Sequence, residues 1–170
     1  MSEMTANEVA VSFGERLANS QAFSNLFRDG MALVEETASY LDGPGRQESK
    51  KLDRNAALAY ATESMRLTTR LMQLASWLLL HRAVKEGEMS LAQANKEKAK
   101  VKLTAVDNDD DNYKVLPERL RHLIDRSRHL HGAIRRLDNT MHTRPDAAHI
   151  APDNPVERQL GLLKAAFERE

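Results

Sequence analysis

Residues 53–85 read DRNAALAYATESMRLTTRLMQLASWLLLHRAVK, and this stretch decides the fold. One stripe runs Leu58, Ala61, Met65, Thr68, Met72, Ala75 and Leu79, at the spacing of three and four that marks one face of an α-helix. A second runs Tyr60, Leu67, Leu71, Leu74 and Leu78, on the other side at 100° per residue. Only a wedge carrying Glu63, Arg66, Arg70 and Gln73 is clearly polar. A helix that is apolar on two sides must be covered on two sides. Two coverings satisfy that demand. Either this is a central helix squeezed between two neighbours, or part of the second stripe (Tyr60, Leu67, Leu71, Leu74, Leu78) is a homodimer surface.

Upstream, Phe23, Leu26, Phe27, Gly30, Val34, Thr37 and Leu41 mark one face of a preceding helix, which stops at Asp42-Gly43-Pro44-Gly45-Arg46. Gly43 can take a left-handed cap, and Pro44 prevents continuation. Downstream, Ser90-Leu-Ala-Gln93 fits a capping box for a short lysine-rich helix over about residues 90–102. Residues 104–114 read as an exposed loop, because Asp107, Asp109, Asp110 and Asp111 repel one another in any compact arrangement. A third long helix opens at Pro117, with Leu120, Leu123, Ile124, Ser127, Leu130, Ile134, Leu137 and Met141 in one stripe. Its opposite face carries Arg121, His122, Asp125, Arg128, His129 and Arg136, and residues 116–142 hold six arginines against three acids. Long helices joined by loops, with no credible strand run, make an all-α antiparallel three-helix bundle with a long central helix the expected fold.

Three of the five prolines fall in the last 26 residues, so residues 143–155 read as an extended linker. Beyond it Val156, Leu160, Leu163 and Phe167 stand at spacings of four, three and four. Such a segment is marginal as a helix alone, and an apolar patch on a tether docks into a partner's groove or folds back on its own bundle. The expected organisation is an arm over residues 1–20, a bundle over 21–142 and a flexible tail over 143–170. Thr5 to Glu8 either caps a short helix through Val9, Phe13 and Leu17 or leaves the arm loose.

Across the whole chain of 170 residues, 25 basic side chains balance 25 acidic ones, which argues against a dedicated nucleic-acid binder. The absence of cysteine excludes disulfides, thiolate metal sites and a cysteine nucleophile. The longest apolar run, Leu74–Leu80, includes a serine and is seven residues, far short of the roughly 20 that span a bilayer. The N-terminus lacks a signal-peptide pattern, so a cytoplasmic location is expected, and recruitment to a cell pole is compatible with it.

No P-loop, GxGxxG, HExxH, GxSxG, EF-hand or zinc-finger spacing occurs. His122, Asp125 and His129 share one helical face, where a weak metal site or acid–base pair competes with a plain solvated face; no second helix offers matching carboxylates. No catalytic residue, metal or cofactor is therefore assigned. Trp77, the single tryptophan, falls beside Arg66, Arg70 and Gln73. An amphipathic aromatic next to arginines has the composition of a protein–protein hot spot, and a boundary tryptophan covered by a neighbouring helix looks the same. The candidate partner-binding residues are thus Trp77, Arg70, Arg121, Arg128 and Arg136 on the bundle, and Val156, Leu160, Leu163 and Phe167 on the tail.

Two stretches carry a resemblance. One is Phe23…Leu26-Phe27…Gly30-Met31…Leu33-Val34-Glu35…Ala38…Tyr40-Leu41-Asp42-Gly43-Pro44-Gly45-Arg46. The other is Ala59-Tyr60-Ala61…Glu63-Ser64-Met65-Arg66-Leu67-Thr68-Thr69-Arg70-Leu71-Met72-Gln73, followed by Ala75-Ser76-Trp77-Leu78-Leu79, Arg82-Ala83-Val84 and Gly87-Glu88. Over about residues 13–105 the chain resembles the alphaproteobacterial regulator of CtrA degradation (RcdA) family. That resemblance implies a non-enzymatic adaptor for the ClpXP protease: a self-associating, homodimeric three-helix bundle with a disordered tail. It would act downstream of a response-regulator-like priming adaptor (CpdR) and help deliver cell-cycle transcription regulators such as CtrA. The alternative is a helical protein- or DNA-binding regulatory module acting through the basic face of the third helix.

Overall fold

The computed structural model describes the backbone of residues 6–101 and 110–142, and the side chains of residues 20–101 and 110–139. Its elements are α1 (Ala6–Asp42), α2 (Pro44–Ser49), α3 (Arg54–Lys85), α4 (Leu91–Lys100), α5 (Asp110–Lys114) and α6 (Glu118–His142). Among the described residues there is no strand, so the expected all-α class holds. The chain divides into two units, residues 1–135 and 136–170; the second includes the last turns of α6, and the tail positions Val156, Leu160, Leu163 and Phe167 lie outside the described residues.

In the first unit α1, α3 and the first part of α6 form the bundle. Lys85, at the end of α3, donates from Nζ to Ser20 Oγ near the start of the described part of α1 at 2.8 Å, so α1 and α3 run antiparallel. α6 runs antiparallel to α1: the Arg119 guanidinium lies 5.2 Å from the Tyr40 ring centre, and Arg126 pairs with Glu36. Phe23, Leu33 and Tyr40 from α1, Leu67, Leu71, Leu74 and Leu78 from α3, and Leu120, Leu123, Ile124, Leu130 and Ile134 from α6 make the core. Gly30 lets the three helices close up. A Cβ there would stand 2.6 Å from Leu78 Cδ1 and 3.4 Å from Leu130 Cδ2.

The helix ends follow their local chemistry. Asp53 caps α3 by accepting from the Ala56 amide at 2.7 Å, and Ser90 with Gln93 forms a complete capping box on α4. At the α1–α2 corner Tyr40 donates to Glu48 Oε2 at 2.6 Å, and Gly45 is held against Tyr60 and the Tyr40 carbonyl.

Three expectations change. α1 begins at Ala6, so the backbone expected as an arm belongs to the same helix as Phe23 to Leu41. Residues 110–114, expected in a loop, form α5; Asp110 and Asp111 occupy its first turn, where the helix dipole favours negative charge. Most consequentially, α3 is turned the other way. The expected homodimer stripe, Tyr60, Leu67, Leu71, Leu74 and Leu78, lies in the core of one chain at 9% exposure or less. The first stripe faces outward instead, with Leu58 at 70%, Met65 at 73%, Met72 at 66% and Leu79 at 53% exposure. The physical reason is the polar wedge. Glu63 and Arg70 find partners inside the bundle, so a polar face is buried and the opposite, wholly uncharged face is left open.

Candidate protein-interaction surfaces

The wedge of α3 meets α5 and α6 along a seam rich in arginine. Glu63 is 4% exposed; its carboxylate accepts from Arg66 Nη1 at 2.7 Å and from Asn112 Nδ2 of α5 at 3.5 Å. Two helical turns beyond Glu63, Arg70, 9% exposed, donates from Nη1 to Ser127 Oγ of α6 at 2.9 Å, and Ser127 donates in turn to the Ile124 carbonyl at 2.7 Å. Burial, then the neighbouring Arg128, pushes the Arg70 guanidinium below its ordinary range.

Tyr113 of α5 organises the outer part of this seam. Its hydroxyl donates to Asp125 Oδ2 at 2.6 Å. The guanidinium carbons of Arg121 and Arg128 lie 5.9 Å and 5.6 Å from its ring centre, within cation–π range. The bond to Asp125, and then partial burial, raises the phenol above its usual value. Arg128 Nη1 is 4.0 Å from Asp125 Oδ1, while the Nε atoms of Arg121 and Arg128 are buried without a hydrogen-bond partner. Deeper on α6, His131 is 4% exposed and its Nε2 is also unpartnered; burial, Arg135 and Arg70 push its pKa down.

Of the residues expected to bind partners, Arg70, Arg121 and Arg128 are thus brought together, although Arg70 is an inner member of the cluster, not a surface one. Arg136 is exposed and belongs to the second unit. Trp77 takes the second of its two readings, covered by a neighbouring helix, and leaves the partner-binding set. It is 2% exposed, stacked on His81 at 5.1 Å and 10°, tilted against Phe23 at 6.5 Å, and covered by Lys98 of α4 with Nζ 5.0 Å from the ring. A long lysine stem over an indole removes it from contact with a partner.

His122, Asp125 and His129 are all exposed, and among the described residues no three His, Asp or Glu side chains could hold a metal ion. Asp125 is engaged by Tyr113. His122 and Asp125 edge a shallow groove of about 400 Å³ with Glu36, Tyr40, Arg119 and Arg121. Glu63, Tyr113 and Ser127 carry no candidate role in the sequence reading. Ser127 carried a signal, as a hydroxyl in the middle of an apolar stripe; Tyr113 carried none, sitting in what read as a charged loop.

The second surface is the outward face of α3. Leu58, Met65, Met72 and Leu79 recur every seven residues, with Ala61, Thr68 and Ala75 between them. Every exposed residue from Asn55 to Leu79 is uncharged. At 1.5 Å per residue the stripe is about 32 Å long. No described helix is long and apolar enough to cross a membrane.

A family model described as "Protein of unknown function (DUF1465)" matches residues 14–167. No curated protein matches the chain. Among solved structures, the crystal structure of RcdA from Caulobacter crescentus CB15 is 55% identical, covers 70% of this chain and 89% of that one, and superposes with a TM-score of 0.56.

Proposed function

This chain belongs to the RcdA family, and we propose from that premise that it is a non-enzymatic adaptor which helps deliver cell-cycle regulatory proteins to the ClpXP protease. Its partners in this reading are the protease, a response-regulator-like priming adaptor of the CpdR kind, and transcription-regulator cargo such as CtrA. The mechanism is effective concentration: holding cargo beside the unfoldase raises its capture without any chemistry in the adaptor. The C-terminal segment with Val156, Leu160, Leu163 and Phe167 supplies the exchangeable contact with the primed protease.

The observation that carries the reading is the outward face of α3. A contiguous apolar stripe on a charged protein marks an interaction surface. Here the occupant is a second copy of the chain, because the stripe is complementary to itself. Large side chains at Leu58, Met65, Met72 and Leu79 alternate with small ones at Ala61, Thr68 and Ala75, at the seven-residue period of paired helices. The homodimer face is therefore assigned to this stripe in place of the buried one. Self-association leaves the arginine seam of each copy free for cargo.

The test is a degradation assay with purified protease, priming adaptor and candidate cargo, with and without this protein. Faster loss of at least one cargo is the expected result. Unchanged degradation of every cargo would reject the adaptor role.

A further inference from the structure

We propose that Arg70, Arg121 and Arg128, gathered with Tyr113 along the α3–α5–α6 seam, form a carboxylate-binding site for an acidic segment of a partner protein. The proposal deepens the adaptor reading and rests on it in taking the partner to be a protein. Its foundation is a set of guanidinium groups that lack a close carboxylate. Four of them meet here, those of Arg66, Arg70, Arg121 and Arg128, and the two carboxylates hydrogen-bonded within the seam are already engaged. Glu63 is committed to Arg66 and Asn112, and Asp125 to Tyr113. Arg70 bonds to a neutral hydroxyl, and neither it nor Arg121 forms an ion pair. Arg128 reaches only the outer limit of one, at 4.0 Å from Asp125.

Burying charge without a counter-charge is costly, and leaving buried N–H donors empty adds to that cost. Arg70 is more than nine-tenths buried, and Arg121 and Arg128 each have a buried, unpartnered Nε. Arg121 and Arg128 are planar forks held in place by packing on the Tyr113 ring, each with a donor still unused. Preorganisation of this kind is worth most when the ligand is absent for part of the cycle and must be captured quickly.

The chemistry favours the side-chain carboxylates of a protein over a nucleic-acid backbone. Phosphates come as a continuous line of charge, and this seam is short and flanked by acids, with Glu118, Asp110, Asp111 and Asp125 close along α5 and α6. Tyr113 is occupied by two arginines and tied to Asp125, and Tyr40 in the adjoining groove lies under Arg119, so neither ring offers a base a free stacking face. One or two carboxylates fit such a place; a polyanion does not.

The experiment uses the full chain and a fluorescein-labelled peptide of alternating glutamate and alanine, read by anisotropy. A glutamine counterpart, inorganic phosphate and an oligothymidine strand are the comparison ligands. The glutamate peptide should bind about tenfold or more tightly than the glutamine one, the size of effect that one charge-assisted hydrogen bond supplies. Binding should weaken with salt and fall about tenfold in R70M and in the double variant R121Q/R128Q, with thermal unfolding little changed. The double variant alters half-buried side chains whose loss the core tolerates, so it carries the test should R70M fold poorly. Equal binding of the two peptides, indifference to both sets of variants, displacement by phosphate at the peptide's own concentration, or tighter arginine-dependent binding of oligothymidine would each overturn the site. Loss of peptide binding with retained stimulation of degradation rejects the site alone. Arginine-dependent peptide binding with no effect on any cargo keeps the site and rejects the adaptor role.

Discussion

Arg70 on α3 and Ser127 on α6 are joined by a buried hydrogen bond of 2.9 Å that links these two helices inside the core. The serine interrupts the leucine stripe of α6 where the arginine of α3 arrives. A charged group that reaches the interior must find an acceptor there, and this acceptor is what allows the polar wedge of α3 to face inward.

Two substitutions at this pair should therefore behave oppositely. Ser127→Ala removes the acceptor and leaves a desolvated guanidinium, so unfolding free energy should fall by about 1–3 kcal/mol. Arg70→Met removes the charge and keeps the volume, so stability should stay within about 1 kcal/mol of the parent or rise. Urea denaturation of both variants checks this. An R70M variant that loses more stability than S127A would show that the arginine stabilises the seam through its charge.

His131 predicts a pH dependence. Burial first, then Arg135 and Arg70, lower its pKa in the folded state. The folded protein therefore binds the proton less well than the unfolded chain does. Stability from this group is fully present above the unfolded value of about 6.5 and declines as pH falls through it, by at most about 1.4 kcal/mol per pH unit. His131→Leu should flatten that part of the profile. The measurement is the difference in unfolding free energy between about pH 7.5 and about pH 5.5, parent against variant. Parallel losses in the two proteins would assign the acid sensitivity elsewhere.

The α1–α2 corner predicts a contrast between glycines. A Cβ on Gly45 would meet Tyr60 Oη at 2.6 Å and the Tyr40 backbone carbonyl at 2.7 Å. A backbone atom cannot swing aside, so Gly45→Ala should cost about 1–3 kcal/mol and lower the melting temperature by several degrees. At Gly30 the nearest atom is the end of the Leu78 side chain, which can rotate, and alanine recovers up to about 1 kcal/mol of helix propensity. Gly30→Ala should be the milder change in a thermal melt, and the reverse order would mean that the Leu78 packing is rigid.

The three long helices and their order were legible in the sequence, because the stripe of α6 and the capping box at Ser90 admit one reading each. The rotation of α3 was not. Its two apolar stripes are nearly equal, and polarity at Glu63 and Arg70 does not say whether that wedge meets solvent or a buried partner. What decides the matter is a pair of long-range partners, Asn112 and Ser127, that no local pattern announces. Which of its two readings Trp77 takes follows from the same rotation, because it stands seven residues after Arg70 on the same inward line. The arginines of the seam were all named from the sequence, whereas Tyr113, which gathers two of them, lay in a segment whose aspartates read as a loop.

The outward stripe of α3 gives the last prediction. Met65 and Met72 are 73% and 66% exposed in the single chain, so Met65→Glu and Met72→Glu should change its intrinsic stability by no more than about 0.5 kcal/mol each. In a paired helix seam the same changes place carboxylates against apolar side chains and against their own copies, which no dimer of this kind tolerates. Sedimentation should give the parent twice the mass of one chain and the double variant the mass of one. The two proteins should differ a second way. Dimerisation makes the parent's melting temperature rise with concentration, while that of the variant stays constant. A parent that sediments as one chain, or a variant that still pairs, would remove the second copy from this face. The stripe would then be free to bind a different partner. Because the arginine seam lies on the side of α3 that faces the bundle, the glutamate peptide should bind the double variant as well as the parent.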